Sequence, residues 1–165
     1  MTIKTFYFNP YRECTYVLAN NDGKAIIIDA GMHTEQEQQR FAEYIHQQHI
    51  DPIALLITHS HPDHICGLAF LEQQYQLHPI IHPGEGTLEF HEANIRIDVI
   101  ATPGHKEDAV CYYLPNEKIL FTGDTLFQES IGRTDLPGGD MATLIRSLQK
   151  LITLPEDIQI YPGHG

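Results

Sequence analysis

The order of elements in this sequence predicts a mixed α/β (α+β) fold, with helices packed outside two β-sheets. Short apolar or alternating runs open the chain and read as strands, a helical pattern follows, and strands and a helix then recur. Several of the later strands end on a glycine beside a polar residue, the mark of a tight turn. At 165 residues and 42% hydrophobic content, the chain suits one domain, 1–165, with a proper core. No Ser-rich linker, charge block, internal repeat or low-complexity segment divides it.

The elements follow in order. Thr2–Phe8, Thr15–Ala19 and Ala25–Asp29 read as an opening series of strands, and Asn20-Asn21-Asp22-Gly23 is a hairpin turn signal. Tyr11 and Tyr16 are expected in the core. Thr34 caps a helix running to about Ile50, with Phe41, Ala42, Ile45 and Ile50 on a broad apolar face. His46 and His49 on that helix read as surface residues. Ile53–Thr58 is a short buried strand, and a helix carrying Leu68, Ala69, Leu71 and Gln74 follows. Short strands fill Pro79 to Leu114, and Lys118–Gly123 is another. Asp140 caps an amphipathic helix, Met141–Leu151, with Leu144, Leu148 and Leu151 inward. Ile158–Tyr161 is the last strand.

The formal net charge of −12 disfavours attraction to nucleic acid or to an anionic membrane surface. No apolar stretch is long enough to span a bilayer, and the N-terminal residues lack the apolar core of a signal peptide. Cys14, Cys66 and Cys111 are widely spaced with no metal or redox spacing, and read as reduced core thiols of a cytoplasmic protein. Cys66 follows His64 closely, but its expected role is that of a small buried hydrophobe.

Thr58-His59-Ser60-His61-Pro62-Asp63-His64 places four metal-capable side chains within six positions, directly after a buried strand. Pro62 argues against a regular helix through the cluster, and a turn can point the four side chains at a common centre. Neutral imidazoles and carboxylates suit zinc, and also iron or manganese. The alternative is a solvated polar loop. Three later fragments weigh against it: Thr102-Pro103-Gly104-His105, Thr122-Gly123-Asp124-Thr125 and Pro162-Gly163-His164-Gly165. Each reads as strand, tight turn, potential ligand.

Together these residues resemble the metallo-β-lactamase superfamily. His59, His61, Asp63 and His64 match its His-x-His-x-Asp-His signature, and His105, Asp124 and His164 match its later ligands in order. Phe8 to Tyr16, and Gly123 to Phe127 leading into Gly132 to Asp140, are similar to the small single-domain, glyoxalase II-like (hydroxyacylglutathione hydrolase-type) branch. The resemblance implies a four-layer αβ/βα sandwich with the metals at one edge between the sheets. It also implies that His59, His61 and His105 hold one ion, that Asp63, His64 and His164 hold the other, and that Asp124 bridges them through its two carboxylate oxygens. Asp63 and Asp124 are then the catalytic carboxylates around a metal-bound hydroxide, and Asp29 supports the cluster by orienting an imidazole. Arg133 and Lys106 are the candidate substrate contacts. Arg133 either holds a substrate carboxylate or forms a structural pair with Asp135 or Asp140, and Lys106-Glu107-Asp108 departs from the family pattern at the pocket mouth. Relatives usually carry a longer connection where His82-Pro83 passes to Gly84, and usually continue past the final Pro-Gly-His-Gly. The chain is therefore expected to be a trimmed form of the fold or to lack segments present in the gene product.

The implied function is a dinuclear metal-dependent hydrolase that cleaves a small, acylglutathione-like thioester. Two divalent ions are expected, zinc first, with iron or manganese also suited to the ligands. The partner is a small-molecule thioester, with no role for nucleic acid or membrane. A thiolate is a good leaving group that needs no proton, so thioester hydrolysis suits such a centre. The rival is an iron-dependent persulfide dioxygenase, which would use His59, His105 and Asp124 as a two-histidine-one-carboxylate triad. Lactonase or β-lactamase activity and a non-catalytic metal-binding scaffold are the further alternatives.

Overall fold

A computed structural model describes residues Met1–Gly165. The opening strands are β1 (Thr2–Phe8), β2 (Glu13–Ala19) and β3 (Lys24–Ile28). The Asn20 side chain builds the β2–β3 hairpin by accepting from the N–H groups of Asp22 and Lys24, both at 2.9 Å. Helix α1 (Glu35–Gln47) begins with a capping box, in which Thr34 accepts from the Glu37 N–H and the Glu37 side chain accepts from the Thr34 N–H. It stops short of Ile50 because His49 adopts a left-handed backbone conformation, φ 54°.

Strand β4 (Asp51–Ile57) leads into a short helix, α2 (Pro62–Ile65), and then α3 (Leu68–Tyr75). Pro62 argues against a regular helix through the histidine cluster, and none runs through it. Pro62 starts one turn of helix, since a first helical position has no need of the missing N–H. Strands β5 (Pro79–Ile81), β6 (Gly86–Phe90), β7 (Ile95–Ala101), β8 (Val110–Leu114) and β9 (Ile119–Gly123) follow. The small hairpin β10 (Leu126–Phe127) and β11 (Ser130–Ile131) carries no sequence signal strong enough to be read. Helix α4 (Met141–Leu151), capped by Asp140, and strand β12 (Gln159–Pro162) end the chain.

The strands form two five-stranded sheets, ordered β1-β2-β3-β4-β5 and β12-β9-β8-β7-β6. Alternation sorts their side chains into layers. Cys14, Tyr16 and Leu18 of β2, Ile26 and Ile28 of β3 and Leu56 of β4 pack against Ile97, Val99, Tyr112 and Phe121 of the second sheet. The opposite faces of the same strands, with Val17, Ala25, Ile27, Leu55 and Ile57, pack against Phe41 and Ile45 of α1 and Leu71 of α3. Leu151 of α4 covers Cys111, Tyr113 and Leu120 on the far side of the second sheet. The layers are helix, sheet, sheet, helix, the four-layer αβ/βα sandwich.

Cys14 and Cys111 are buried, but Cys66 is exposed, against expectation, because it caps the short α2 turn at the surface. Tyr16 is buried as expected. Tyr11 is 70% exposed, since it lies on the turn between β1 and β2.

Helix α4 also fixes the turn after β7. Ser147 Oγ donates to the Pro103 carbonyl at 2.6 Å, and the Asp140 N–H donates to the Gly104 carbonyl at 2.8 Å. Gly104 has φ 137°, and a Cβ there would overlap the Leu144 backbone. Gly104→Ala is therefore expected to destabilise the fold by at least about 1–3 kcal/mol, from overpacking and backbone strain. A lowered midpoint of urea unfolding would show it, and an unchanged midpoint would refute the close approach.

Candidate metal centre

The carboxyl ends of five strands from both sheets meet at one edge of the sandwich. Parallel pairing of β3 with β4 sets Asp29 beside Thr58, where β4 runs out into the histidine cluster. Parallel pairing of β9 with β12 sets Gly123 beside Pro162, and the Gly163 N–H donates to the Gly123 carbonyl at 2.7 Å. Asp124 and His164 thereby become neighbours although 40 residues separate them in the chain. The turn after β7 adds His105, and α2 lifts Asp63 and His64 from the cluster. Gly163 leaves the space that the Asp124 carboxylate occupies, since a Cβ there would overlap Asp124 Oδ1 and crowd His64.

All seven candidate ligands converge. The potential ligand atoms of His59, His61 and His105 lie within 4.8 Å of one another, as do those of Asp63, His64 and His164. Asp124 stands between the two trios. Its Oδ2 is 3.4 Å from His105 Nε2, 3.8 Å from His59 Nε2 and 3.2 Å from His164 Nε2. Its Oδ1 is 3.3 Å from His64 Nε2. A single oxygen, Oδ2, thus faces both trios.

Four imidazoles are tethered through Nδ1. His64 Nδ1 meets Asp29 Oδ2 at 2.8 Å, His105 Nδ1 the Arg133 carbonyl at 2.8 Å, and His164 Nδ1 the Tyr11 carbonyl at 2.8 Å. His59 Nδ1 meets Thr58 Oγ1 at 3.1 Å, and that hydroxyl donates onward to Asp29 Oδ2 at 2.7 Å. Each of these acceptors takes a proton on Nδ1 and so turns Nε2 to the centre, where its lone pair serves a metal once any proton there is displaced. His61 differs and turns Nδ1 inward, 2.9 Å from His105 Nε2.

His59, His64, His105 and Asp124 are buried, whereas His61, Asp63 and His164 are part-exposed. Burial, helped by the nearby His64, pushes the His59 imidazole well below its usual range. Burial acts the same way on His64, but Asp29 and Asp124 outweigh it and favour the charged form. Burial alone would raise Asp124, yet contacts with His164 and His64 hold its carboxyl far below the carboxylate range. His164 is raised to about 10, because its contacts with Asp124 and Asp63 overcome burial. His59 Nε2 is buried without any hydrogen-bond partner, and Asp124 Oδ1 has only its 3.3 Å approach to His64 Nε2, which is poorly aligned for a hydrogen bond. Unpaired buried polar atoms are costly, and a divalent cation at the centre would satisfy both. The donor set fits such ions.

A cleft of about 350 Å³ opens over the centre, between Tyr11, Pro62, Arg133 and Leu136. Arg133 lines it, but the guanidinium is held in a two-pronged pair with Asp135, both contacts at 2.7 Å. Lys106 is not among the cleft residues. Its charge reaches His61, whose imidazole is pushed down by burial, by His105 and then by the lysine. Asp29 meets His64, and Thr58 links it to His59.

Two further residues carry no sequence signal. Glu13 is a fully buried carboxyl hydrogen-bonded to Thr15 Oγ1, 4.0 Å from His64 Nδ1, and burial raises it well above the usual range. Asp108 accepts from the Ser60 N–H at 3.1 Å, bracing the turn between His59 and His61.

The family sequence model for the metallo-beta-lactamase superfamily matches residues 10–98 and 85–164. The chain is 30% identical over 187 residues to the "Probable metallo-hydrolase YqgX" of Bacillus subtilis (strain 168), covering 94% of this chain and 86% of that protein. It is 32% identical over 174 residues to the "Hydroxyacylglutathione hydrolase" of Nitrosomonas eutropha (strain DSM 101675 / C91 / Nm57), covering 98% of this chain but only 65% of that enzyme. The fold is similar to the crystal structure of BLEG-1 B3 metallo-beta-lactamase, with TM-score 0.92, 29% identity and coverage of 99% and 92% of the two chains. It is also similar to TTHA1623 in a di-iron-bound form, with TM-score 0.86, 29% identity and coverage of 98% and 92%.

Asp124→Ala is expected to abolish metal uptake at both positions, whereas Arg133→Ala retains the metal of the parent protein. Asp29→Ala, which frees His64 and Thr58, is expected to weaken metal affinity by about 10–100-fold. Metal analysis after dialysis against a zinc buffer distinguishes these outcomes. An Asp124→Ala protein that keeps two ions would disprove a shared ligand.

Proposed function

The chain belongs to the metallo-beta-lactamase superfamily and carries the donor set of a metal-dependent hydrolase, and from that premise we propose that it cleaves a small thioester of the acylglutathione type at a dinuclear centre. One observation carries the reading. Five imidazoles and two carboxylates surround one point, and four of the imidazoles have their outer nitrogens already tied. In this reading His59, His61 and His105 hold one ion, Asp63, His64 and His164 the other, and Asp124 both. Zinc is the first choice for such a set, with iron or manganese as substitutes. Divalent ions bound there supply Lewis acidity, bringing the pKa of a water towards about 7 and polarising a carbonyl.

The residues of the chain do the rest. Asp29, Thr58, Tyr11 and Arg133 fix the imidazole orientations through the contacts described above. Pro62, Tyr11 and Leu136 wall the cleft. No serine or cysteine lines the cleft, and in this reading the nucleophile is water. A water oxygen bonds to the acyl carbon as one of its protons passes to solvent, the C–S bond breaks, and sulfur leaves with the bonding pair as a thiolate; the acid formed loses its proton and the thiolate takes one from water, so that a carboxylate, a thiol and one proton result. A thiolate departs without a proton, so no general acid is needed. A cytoplasmic location suits the reduced thiols Cys14, Cys66 and Cys111, and no helix is long and apolar enough to cross a membrane.

The second reading, an iron-dependent persulfide dioxygenase, is favoured by one feature. Asp124 Oδ2 faces His59 and His105 together, at 3.8 and 3.4 Å, the composition of a two-histidine-one-carboxylate site. The zinc-loaded protein is expected to release thiol from simple thioesters, at a rate flat above about pH 7 and falling in acid as imidazoles protonate and metal is lost. Thiol release across a pH series at saturating zinc, run beside an oxygen electrode on the iron form, decides. Thiol-dependent oxygen uptake without thioester cleavage would replace the hydrolase reading.

A further inference from the structure

The metal cleft does not end at its own rim. Beyond a ridge formed by Tyr11 and Pro62 lies a second groove of about 340 Å³, bordered by Pro10, His33 and Cys66 and sharing Tyr11, Pro62 and Asp63 with the first. A molecule reacting over the centre can therefore continue across the ridge.

Tyr11 is presented there by an ordered turn. The Asn9 N–H donates to Glu37 Oε1 at 2.7 Å, and Asn9 Nδ2 donates to the carbonyls of Gly31 and Asp63, both at 3.0 Å. The Tyr11 N–H donates to Asn9 Oδ1 at 3.1 Å, and the Tyr11 carbonyl accepts from His164. Asn9 and Arg12 both adopt left-handed backbone conformations, φ 50° and 55°. The backbone is thus tied to the metal site while the ring, 70% exposed, faces the clefts. A large aromatic held in water on a rigid turn is a pre-organised contact surface.

Fixed charges near the groove are negative. Asp63 lines it, with its charge offset by the ion it would hold, and Glu37 flanks it through its bonds to the Asn9 and His33 N–H groups as the fixed charge that no ion offsets. The guanidinium on the opposite wall, Arg133, is neutralised by Asp135. A carboxylate-bearing arm finds no free partner among these groups, whereas Tyr11, Pro10 and Pro62 offer apolar surface.

We propose that this groove binds the non-reacting thiol arm of the substrate, with Tyr11 as its specificity-determining residue, and that the arm is uncharged and apolar or aromatic. The proposal rests on thioester cleavage but replaces the glutathione arm of that reading, because an arm with free carboxylates finds no cationic partner in the groove.

The test uses the zinc-loaded protein and two acetyl thioesters that differ only in the thiol, benzyl mercaptan or glutathione. The benzyl thioester should have a kcat/KM at least about tenfold higher, the scale of one aromatic contact. Tyr11→Ala should cut that ratio about tenfold through KM, and Tyr11→Phe should keep it. Zinc content should stay unchanged in both, since the link to His164 is the backbone carbonyl. A preference for the glutathione thioester, or an equal loss on both substrates, would overturn the proposal. If neither thioester is cleaved, the thioester reading fails, and the groove is judged by calorimetry with the matching S-acetonyl thioethers, which cannot be cleaved. Tighter binding of the benzyl thioether that Tyr11→Ala weakens about tenfold supports the groove. Equal affinities, no binding, or no effect of Tyr11→Ala overturn it.

Discussion

Asp29 accepts hydrogen bonds from the Thr58 N–H, the Thr58 hydroxyl and His64, at 2.7, 2.7 and 2.8 Å, and the geometry of the site depends on this buried carboxylate. A buried carboxylate is tolerable only when its lone pairs are filled, and these three donors fill them. The bonds also clamp the ends of two parallel strands, β3 and β4, at the point where the chain leaves the sheet. The Thr58 hydroxyl passes the constraint to His59, so one carboxylate sets the rotation of two imidazoles. Its own backbone is left-handed there, φ 62°, a conformation that asparagine and aspartate tolerate better than most residues.

The same economy recurs around the centre. His105 and His164 are tied to backbone carbonyls on the Arg133 and Tyr11 turns, so loops far apart in sequence orient candidate ligands that follow the strands. The two sheets supply the rigidity. Their facing sides bury aliphatic and aromatic residues between them, and the polar centre occupies the edge where strands from both sheets end. A polar cluster deeper in the sandwich would cost burial without ligand access, and one further out would lose its fixed orientation.

Cleft and centre obey different physics. The centre depends on directional contacts among groups that cannot be exchanged without loss. The walls are made of apolar contacts and a surface ion pair, Arg133–Asp135, that is exposed on both sides and of small energetic weight. That pair gives the arginine a structural partner, and the exposed ring on the opposite wall is the more distinctive recognition feature.

Much of the site was legible in the residues themselves. Imidazoles crowded at a strand end, and glycine-flanked ligands after three later strands, are rare enough to point at one centre before any coordinates exist. Helix limits at Thr34 and Asp140 were legible too, because capping is a local interaction. The four-layer arrangement came from family resemblance, since periodicity says which side of a strand is buried but not what covers it. What only the tertiary structure decided are contacts between distant segments. Glu13 reads as an ordinary charged residue, yet it is buried next to His64, and Tyr11 reads as core, yet its ring is exposed while its carbonyl orients His164. Local sequence specifies strands, turns and donors. Which ring is tethered and which lies open to a substrate depends on how strands far apart in the chain are brought side by side, and no short-range pattern records that.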